Sequence, residues 1–408
     1  MIPVVDLESF RYELPKERIA HFPVSPRDHS KLLVSDAAGN ISEYLFHQLV
    51  DHIPAGALMV FNQTKVIRAR LLFQTTTGAT IELFCLEPLD GIDQLQALSS
   101  KVAVQWKCLV GNAKRWKDQH LRLSMEGEES IVLNASLVEK HDDYSVIQFQ
   151  WTPVHMPWVE VLEAAGKMPL PPYIKRTASG EDEESYQTVY AKIQGSVAAP
   201  TAGLHFTERV LEELKQKNTT LLNTTLHVGA GTFKPIKASS IDLHEMHAEE
   251  LIIDENFLSQ LCLHTKPIVV VGTTSARCIE SLYWMGVKIS QGANTVSELK
   301  VLQWDAYNLS TDLTFQEAIL FLKNWMVQHN LKTMNVKTSI IIVPGYVFHG
   351  VDFLVTNFHQ PDSSLMLLIG AFLGKQWQKV YQFALKNDFR FLSYGDSSFL
   401  AKNVDNIQ

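Results

Sequence analysis

The sequence has little cysteine, no long apolar run and no recognisable leader, and each absence excludes a class of protein. Its four cysteines are too widely spaced for a metal knuckle or for a loop that holds an iron–sulfur cluster, which excludes a radical enzyme of that type. No segment approaches the roughly 20 apolar residues of a membrane-spanning helix, so no membrane partner is expected. The start, Met1–Asp6, lacks the basic-then-apolar pattern of a signal peptide, so a cytoplasmic location is expected. The cysteines are Cys85, Cys108, Cys262 and Cys278.

Excess positive charge is also missing from the chain as a whole. The formal net charge of the 408 residues is −8, which argues against a general nucleic-acid binder. One segment departs from this balance, because residues 101–122 contain six cations and one anion, Asp118, and therefore have a net charge of +5. The cations are Lys101, Lys107, Lys114, Arg115, Lys117 and Arg122.

The pattern of apolar residues divides the chain into two regions with different predicted secondary structure. Hydrophobic residues make up 46% and charged residues 20%, as in an ordinary globular protein, and the length allows two or three domains. Between residues 65 and 152, five or six short alternating runs predict a small antiparallel β-barrel or a sandwich. Residues 1–64 and 153–408 mix helix and strand patterns, which predicts a larger α/β domain around this insertion.

The last third of the chain predicts alternating strands and helices. Pro267–Val271 predicts a buried strand followed by a helix over 276–285, which Gly286 is expected to end. Ser339–Val343 and Phe389–Leu392 predict two further strands. In folds of this kind, ligands bind at the carboxyl ends of the strands.

Two stretches combine small residues with histidine in the manner of an active-site wall. They are Gly195–Thr207, which contains His205, and Leu226–Phe233, which contains His227. Small residues let the backbone approach a ligand closely, and histidine transfers protons near neutral pH. The Gly-Ala-Gly at 229–231 is by itself weak evidence for a dinucleotide site.

A second pair of histidines leaves a metal site open as an alternative. His244 and His247 stand beside Glu245 and Glu249. A helical metalloprotease motif needs histidines four apart, whereas these are three apart, a spacing that still permits a shared helix face. Histidines that are hydrogen-bonded or that transfer protons are the other interpretation.

Gly272–Ser275 precedes a predicted helix and offers backbone N–H groups and hydroxyls to an anion. It is not a P-loop, because the lysine and the second glycine are absent. A plain helix cap is the alternative, and Arg277, one turn further on, favours the anion.

Several polar residues also follow predicted strands near the C-terminus. They could merely end those strands, but side chains of these types can also bind a nucleobase edge or a cation. These candidates are Asp352, Asn357, His359, Tyr394 and Asp396.

A long series of motifs runs through the chain in one order: Tyr12–Pro15, Arg27–Asp28, Phe61–Val66, Arg70–Leu71, Met168–Tyr173, Tyr186–Tyr190, Gly195–Thr207, Thr225–Phe233, His244, Met246–His247, Glu249, Val271–Ser275, Pro344–Tyr346, Thr356–His359 and Ser393–Asp396. Together they resemble the S-adenosylmethionine:tRNA ribosyltransferase-isomerases of queuosine biosynthesis over nearly the whole chain. The sequence departs from that family at Arg68, where many relatives have proline, and at Asp362, where a lysine is more usual.

The resemblance implies a large α/β domain interrupted by a small β-barrel, and it implies a specific reaction. S-adenosylmethionine would be a co-substrate that gives its ribosyl carbons to 7-aminomethyl-7-deazaguanine at the wobble position of a tRNA. The products would be epoxyqueuosine in tRNA, adenine and methionine. Neither a permanently bound cofactor nor a metal is expected, and the protein is expected to be a monomer.

Such chemistry needs a base near neutral pH, a proton donor for the leaving adenine and a dry pocket. His205 or His227 is expected to be the acid/base, and the full catalytic set is His205, His227, His247 and Glu249. The methionine carboxylate is expected at Thr273, Thr274 and Arg277, and the aminomethyl cation at Asp352 or Asp396. The other substrate-binding candidates are Thr201, Gly229, Gly231, Asn357, His359 and Tyr394.

The positive segment is the candidate surface for tRNA. Lys114 and Arg115 are expected to contact phosphates, with Trp106 and Trp116 as stacking surfaces. A barrel with a solvated basic face is the alternative.

Other functions compete with this interpretation. One is a metal-dependent hydrolase or deaminase built on the histidine cluster, and another is a family member that binds tRNA without catalysis. A methyltransferase fits least, because no glycine-rich loop follows an early strand.

Overall fold

A computed structural model of the chain describes residues 2–89, 91–117, 120–127, 129–229, 231, 236, 238 and 240–403. Its strands form a nine-stranded sheet, a closed barrel and a two-stranded sheet. The strands are β1 (Lys31–Ser35), β2 (Ile41–Leu45), β3 (Leu58–Asn62), β4 (Thr64–Val66), β5 (Arg70–Gln74), β6 (Thr80–Pro88), β7 (Ala103–Gly111), β8 (His120–Met125), β9 (Ile131–Lys140), β10 (Ser145–Thr152), β11 (Ile193–Ser196), β12 (Thr220–His227), β13 (Glu249–Asp254), β14 (Ile268–Val271), β15 (Thr333–Thr338), β16 (Phe353–Asn357) and β17 (Ser397–Ala401).

The helices lie mainly in the last half of the chain. Within the described residues, no helix combines the length and the apolar character that crossing a membrane takes. The α-helices are α1 (Leu49–His52), α2 (Gln94–Ser99), α3 (Trp158–Ala165), α4 (Asp182–Ser185), α5 (Glu208–Gln216), α6 (Glu255–Leu263), α7 (Gly272–Ser290), α8 (Asp305–Asn308), α9 (Phe315–Gln328), α10 (Ser364–Leu373) and α11 (Gln376–Lys386). Short 3-10 helices span Leu7–Phe10, Lys16–Arg18, Arg27–His29, Phe46–Gln48, Ala113–Arg115, Thr201–His205, Ile241–Leu243 and Val296–Leu299.

The nine-stranded sheet has the order β15-β13-β12-β3-β14-β16-β17-β1-β2. Its central strands β12, β3, β14 and β16 are parallel, so their carboxyl ends lie at one edge. The β-branched sequence of β14 suits a strand that is buried on both faces. Side chains of α6, α7, α9, α10 and α11 cover one face of the sheet, and those of α1 and α5 cover the other.

The alternating segment forms a closed antiparallel barrel rather than a sandwich, in the order β10-β7-β6-β5-β8-β9. Large side chains such as Phe73, Trp106 and Phe149 fill its interior and are fully buried. The predicted fold class, a mixed α/β domain with an inserted small barrel, is confirmed. The exact domain boundaries at 65 and 152 stay a prediction.

Three elements differ from their predictions for physical reasons. α7 continues through Gly286, where a side chain would come within 2.0 Å of the Ala318 carbonyl of α9, so this glycine permits close helix packing and does not end the helix. Ser339–Val343 is buried coil and not a strand. A short apolar run has the same composition in a buried strand and in buried coil, so the sequence pattern does not distinguish the two. Phe389–Leu392 is likewise mostly buried and forms only a single bridge, between Phe391 and Ile19, so the last strand is β17.

Candidate active site

Two neighbouring cavities lie at the carboxyl edge of the central strands. The larger, of about 280 Å³, lies between the sheet and the β6–β7 connection of the barrel. The smaller, of about 70 Å³, lies where β14 and β16 end. Val228 lines both cavities, so the two are adjacent.

His227, the last residue of β12, is the buried histidine that stands free in the larger cavity. Its side chain is 6% exposed, and neither ring nitrogen has a hydrogen-bond partner in the described part of the chain. Burial lowers the pKa of His227 to about 4, and nearby Asp93 opposes that shift. A Cβ atom at Gly195 would come within 2.7 Å of the His227 ring, so only a glycine leaves room for the imidazole here. An unbonded neutral imidazole of this kind can accept a proton from a ligand.

Glu249 also lines the larger cavity, but it is paired inside the protein. Its carboxylate lies 2.6 Å from Nη1 of Arg277, and both residues are more than nine-tenths buried. The Arg277 Nε donates to the carbonyl of Ile340, while Nη2 has no partner among the described residues. Arg277 is therefore committed mainly to Glu249 and to the backbone.

The smaller cavity is lined by the first residues of two helices. Gly272 takes φ 85° where β14 turns into α7, and Thr273 and Thr274 follow it at the cavity wall. The start of α10 reaches the same cavity through its cap residue Ser363. Two helix N-termini aimed at one space place partial positive charge there. Thr201, Asn357 and His359 complete the wall.

His205 is bonded on both ring nitrogens and does not stand free. Asn357 donates its amide N–H groups to the carbonyls of Leu392 and Ser393, so its Oδ1 must accept from Nε2 of His205 at 3.3 Å. The other nitrogen, Nδ1, therefore accepts from the Ser30 hydroxyl at 2.7 Å. Burial lowers the pKa of His205 to about 3, and the Asn357 contact opposes that shift only in part.

Three predicted substrate-binding residues line neither of these two cavities. Asp352 accepts a hydrogen bond from the Ile268 backbone N–H. Because it precedes β16, it lies about 16 Å along the strand from Asn357. Asp396 accepts from the Lys31 backbone and from Arg390, and the Tyr394 hydroxyl donates to Asp182 at 2.8 Å. The structure does not bring these three to His227.

The second histidine pair does not share a helix face. Residues 244–248 form an extended lead into β13, so the helical arrangement considered for a metal is wrong. No cluster of three metal-ligating side chains occurs among the residues that the structure describes. His247 is exposed and packs on Gly231, whereas Gly229 lines the larger cavity.

A family described as queuosine biosynthesis protein matches residues 7–400 of the chain. The chain belongs to this family. Two curated relatives are named S-adenosylmethionine:tRNA ribosyltransferase-isomerase. The one from Treponema denticola is 34% identical over 96% of this chain and 99% of its own length. The one from Magnetococcus marinus is 35% identical over 98% of this chain and 95% of its own length. The resemblance stated from the sequence, and the enzyme class it implied, are confirmed.

A solved structure of S-adenosylmethionine tRNA ribosyltransferase from Thermotoga maritima is also similar to this chain. The two sequences are 26% identical, the match covers 96% of this chain and 99% of that chain, and the TM-score is 0.45.

In this queuosine biosynthesis protein, sequence reasoning missed the groups that face His227 from other elements. Gln94 of the barrel connection donates its backbone N–H to Glu250 and its side-chain amide to the Gly195 carbonyl. These contacts span 156 and 101 residues of sequence, so no local motif marks them. The adjacent acidic pair Glu249–Glu250 at the start of a strand was the available signal.

The basic residues predicted to contact tRNA lie at the end of the barrel that is far from the larger cavity. Lys114 and Arg115 are exposed in a 3-10 turn beyond β7, roughly 17 Å along the barrel from the larger cavity. Trp106 is fully buried in the barrel, so its expected role as a stacking surface is wrong. Trp116 packs partly against the barrel core.

Proposed function

We propose that this protein transfers and isomerises the ribosyl group of S-adenosylmethionine onto 7-aminomethyl-7-deazaguanine in tRNA, with epoxyqueuosine, adenine and methionine as products. One observation carries the proposal: a buried histidine, whose ring nitrogens have no partner among the described residues, lines a cavity next to one that two helix N-termini reach. The similarity to relatives named for this activity supports the choice of substrates.

The two cavities suit the two ends of S-adenosylmethionine. Its methionine carboxylate would lie in the smaller cavity at the backbone N–H groups and hydroxyls of Thr273 and Thr274, where the helix dipoles favour negative charge. The ribosyl group would pass Val228 into the larger cavity and come beside His227. Thr201, Asn357 and His359 would contact the middle of the molecule, and Gly229 would allow close approach.

His227 would act first as base and then as acid. The sulfonium acidifies the adjacent 5′ carbon, so neutral His227 takes a proton from it and the bonding electron pair stays on carbon as an ylide. The ylide pair then forms a C4′–C5′ double bond as the C4′–O bond breaks, the electrons of that bond form a C1′ carbonyl, and the C1′–N bond breaks, so that adenine leaves with the proton from His227. The aminomethyl nitrogen then attacks the ribosyl remnant and loses a proton, and epoxide closure, in which an oxygen of the remnant displaces sulfur, breaks the carbon–sulfur bond and releases methionine. A largely buried site protects these intermediates from water.

The other candidates have supporting roles in this proposal. Arg277 holds Glu249, and its remaining nitrogen Nη2 is buried without a partner among the described residues. Asp352, Tyr394 and Asp396 stabilise the fold through their own hydrogen bonds. His247 stays a prediction, as do the monomeric state and the cytoplasmic location.

The assay for this function follows free adenine and the mass of the modified nucleoside. Protein, S-adenosylmethionine and tRNA that carries 7-aminomethyl-7-deazaguanine are incubated together. Adenine release with an epoxy-cyclopentenyl mass gain supports the proposal. Bound tRNA without adenine would point to a non-catalytic binder, and activity that is lost to a chelator would point to the metal-dependent alternative.

His205→Gln tests the assignment of the base to His227. We expect the variant to keep the wild-type pH dependence of adenine release, because a doubly bonded histidine holds Asn357 and does not titrate in turnover. The free energy of unfolding should fall by about 1–3 kcal/mol, since Ser30 and Asn357 lose buried partners. Urea unfolding and pH–rate profiles measure both effects. A lost acid limb in this variant would assign the base to His205.

Charge reversal on the barrel tests the tRNA surface. Lys114→Glu with Arg115→Glu should weaken tRNA binding and reduce the slope of log affinity against log salt by about 1 for each lost phosphate contact. The matched control is Lys379→Glu with Lys386→Glu on exposed positions of α11. Equal losses in the two double variants would show a nonspecific charge effect and reject the barrel surface.

A further inference from the structure

The acidic residue directly across the strand pair from His227 is Glu250. β12 and β13 are antiparallel, and His227 and Glu250 are paired Cα partners in their register. Side chains of such partners lie on the same face, with Cβ atoms about 4.5–5.5 Å apart. Both side chains line the larger cavity.

The barrel holds Glu250 in this position through Gln94. The backbone N–H of Gln94 donates to Oε2 of Glu250 at 3.0 Å, and its side-chain amide donates to the Gly195 carbonyl at 2.8 Å. Gly195 is the residue against which the ring of His227 lies. Oε1 of Glu250 has no hydrogen bond within the described ranges, so one carboxylate oxygen is left for a further donor.

The other charged groups around His227 are committed elsewhere or lie at the rim. Glu249 is paired with Arg277, and Glu87 is paired with Lys107. Asp93, at the start of α2, accepts from the Gln96 backbone at 2.7 Å and is exposed, while Lys337 of β15 is also exposed. Burial raises the pKa of Glu250, and the Gln94 hydrogen bond opposes that shift. Nearby Asp93 adds to the rise, whereas Lys337, the cross-strand partner of Glu250 on β15, counteracts it.

We propose that Glu250 is the carboxylate that pairs with His227 when the ring takes up a proton. This inference rests on the proposed function, in which His227 is the acid/base. One ring nitrogen accepts the proton from the 5′ carbon, and the N–H on the other nitrogen donates to Oε1 of Glu250. The carboxylate thereby stabilises the imidazolium and selects the tautomer that aims its free nitrogen at the substrate. Glu250 acts through His227 and is a positioning residue.

Glu250→Gln tests this pairing because it keeps the shape and an acceptor oxygen for Gln94 but removes the negative charge. We expect kcat for adenine release to fall on the order of 10²-fold, with KM for S-adenosylmethionine unchanged. The acid limb of the pH profile should move to lower pH, since loss of a nearby anion makes the His227 imidazolium less stable. Glu250→Asp should recover part of the activity. Asp93→Asn is the matched control for a neighbouring carboxylate.

NMR titration of the His227 ring in the free protein separates this inference from the proposed function. A lower His227 pKa in Glu250→Gln, together with a smaller shift in Asp93→Asn, supports the pairing whether or not the wild type releases adenine. Wild-type protein that releases no adenine would overturn the proposed function alone. An unmoved His227 titration in Glu250→Gln, or a larger shift in Asp93→Asn, would overturn the pairing.

Discussion

Replacing His227 with glutamine is expected to slow adenine release by about 10²–10⁴-fold, the range for loss of a general acid–base group. S-adenosylmethionine should still bind, because its carboxylate would lie in the neighbouring cavity at Thr273 and Thr274. The fold should change little, since neither ring nitrogen is bonded in the described part of the chain. Single-turnover kinetics and equilibrium binding of S-adenosylmethionine separate the two effects.

The control for His227 is His155→Gln, at an exposed residue that lies after the barrel. It should behave as the wild type does. Near-normal turnover in the His227 variant would remove this residue from the chemistry and leave the larger cavity as a binding site only.

Replacing Arg277 with alanine is expected to lower the free energy of unfolding by about 3–5 kcal/mol. The reason is that Glu249, 6% exposed, would keep a buried carboxylate without its 2.6 Å partner. The double variant Arg277→Met with Glu249→Met should recover most of that loss, because removing both charges leaves neither one unpaired. Urea unfolding of the wild type, the single variant and the double variant measures these differences.

The same double variant tests whether Arg277 also binds substrate through Nη2. If Arg277 only holds Glu249, the recovered double variant should have the wild-type KM for S-adenosylmethionine. A raised KM with restored stability would assign the methionine carboxylate to Arg277. An Arg277→Ala protein as stable as the wild type would contradict the buried ion pair itself.

Local patterns predicted the fold where they have one structural solution. The apolar run before Gly272 forms β14. Ser339–Val343 shows the limit, because burial accounts for its apolar character although the segment is not a strand. Gly286 shows a second limit. Its sequence context does not distinguish a glycine that lets a neighbouring helix pack closely from a glycine that ends a helix.

The sequence predicted those site residues that lie at the carboxyl ends of parallel strands. Thr273 follows β14 and Asn357 ends the parallel strand β16, and they meet because carboxyl ends of parallel strands share an edge. Asp352 precedes its strand and therefore lies at the opposite edge, a distinction that the order of residues already contains. The Gln94–Glu250 contact was beyond local reasoning, because it depends on how the barrel docks on the sheet.

The most direct test of the account is an isotope experiment on the transferred group. The wild-type protein is given S-adenosylmethionine with all ribosyl carbons labelled or, in parallel, with only the methyl carbon labelled, together with tRNA that carries 7-aminomethyl-7-deazaguanine. We expect the complete ribosyl label in the modified nucleoside, one unlabelled adenine per transfer and the methyl label only in free methionine. Methyl label in the tRNA, or modified tRNA without ribosyl label, would contradict ribosyl transfer.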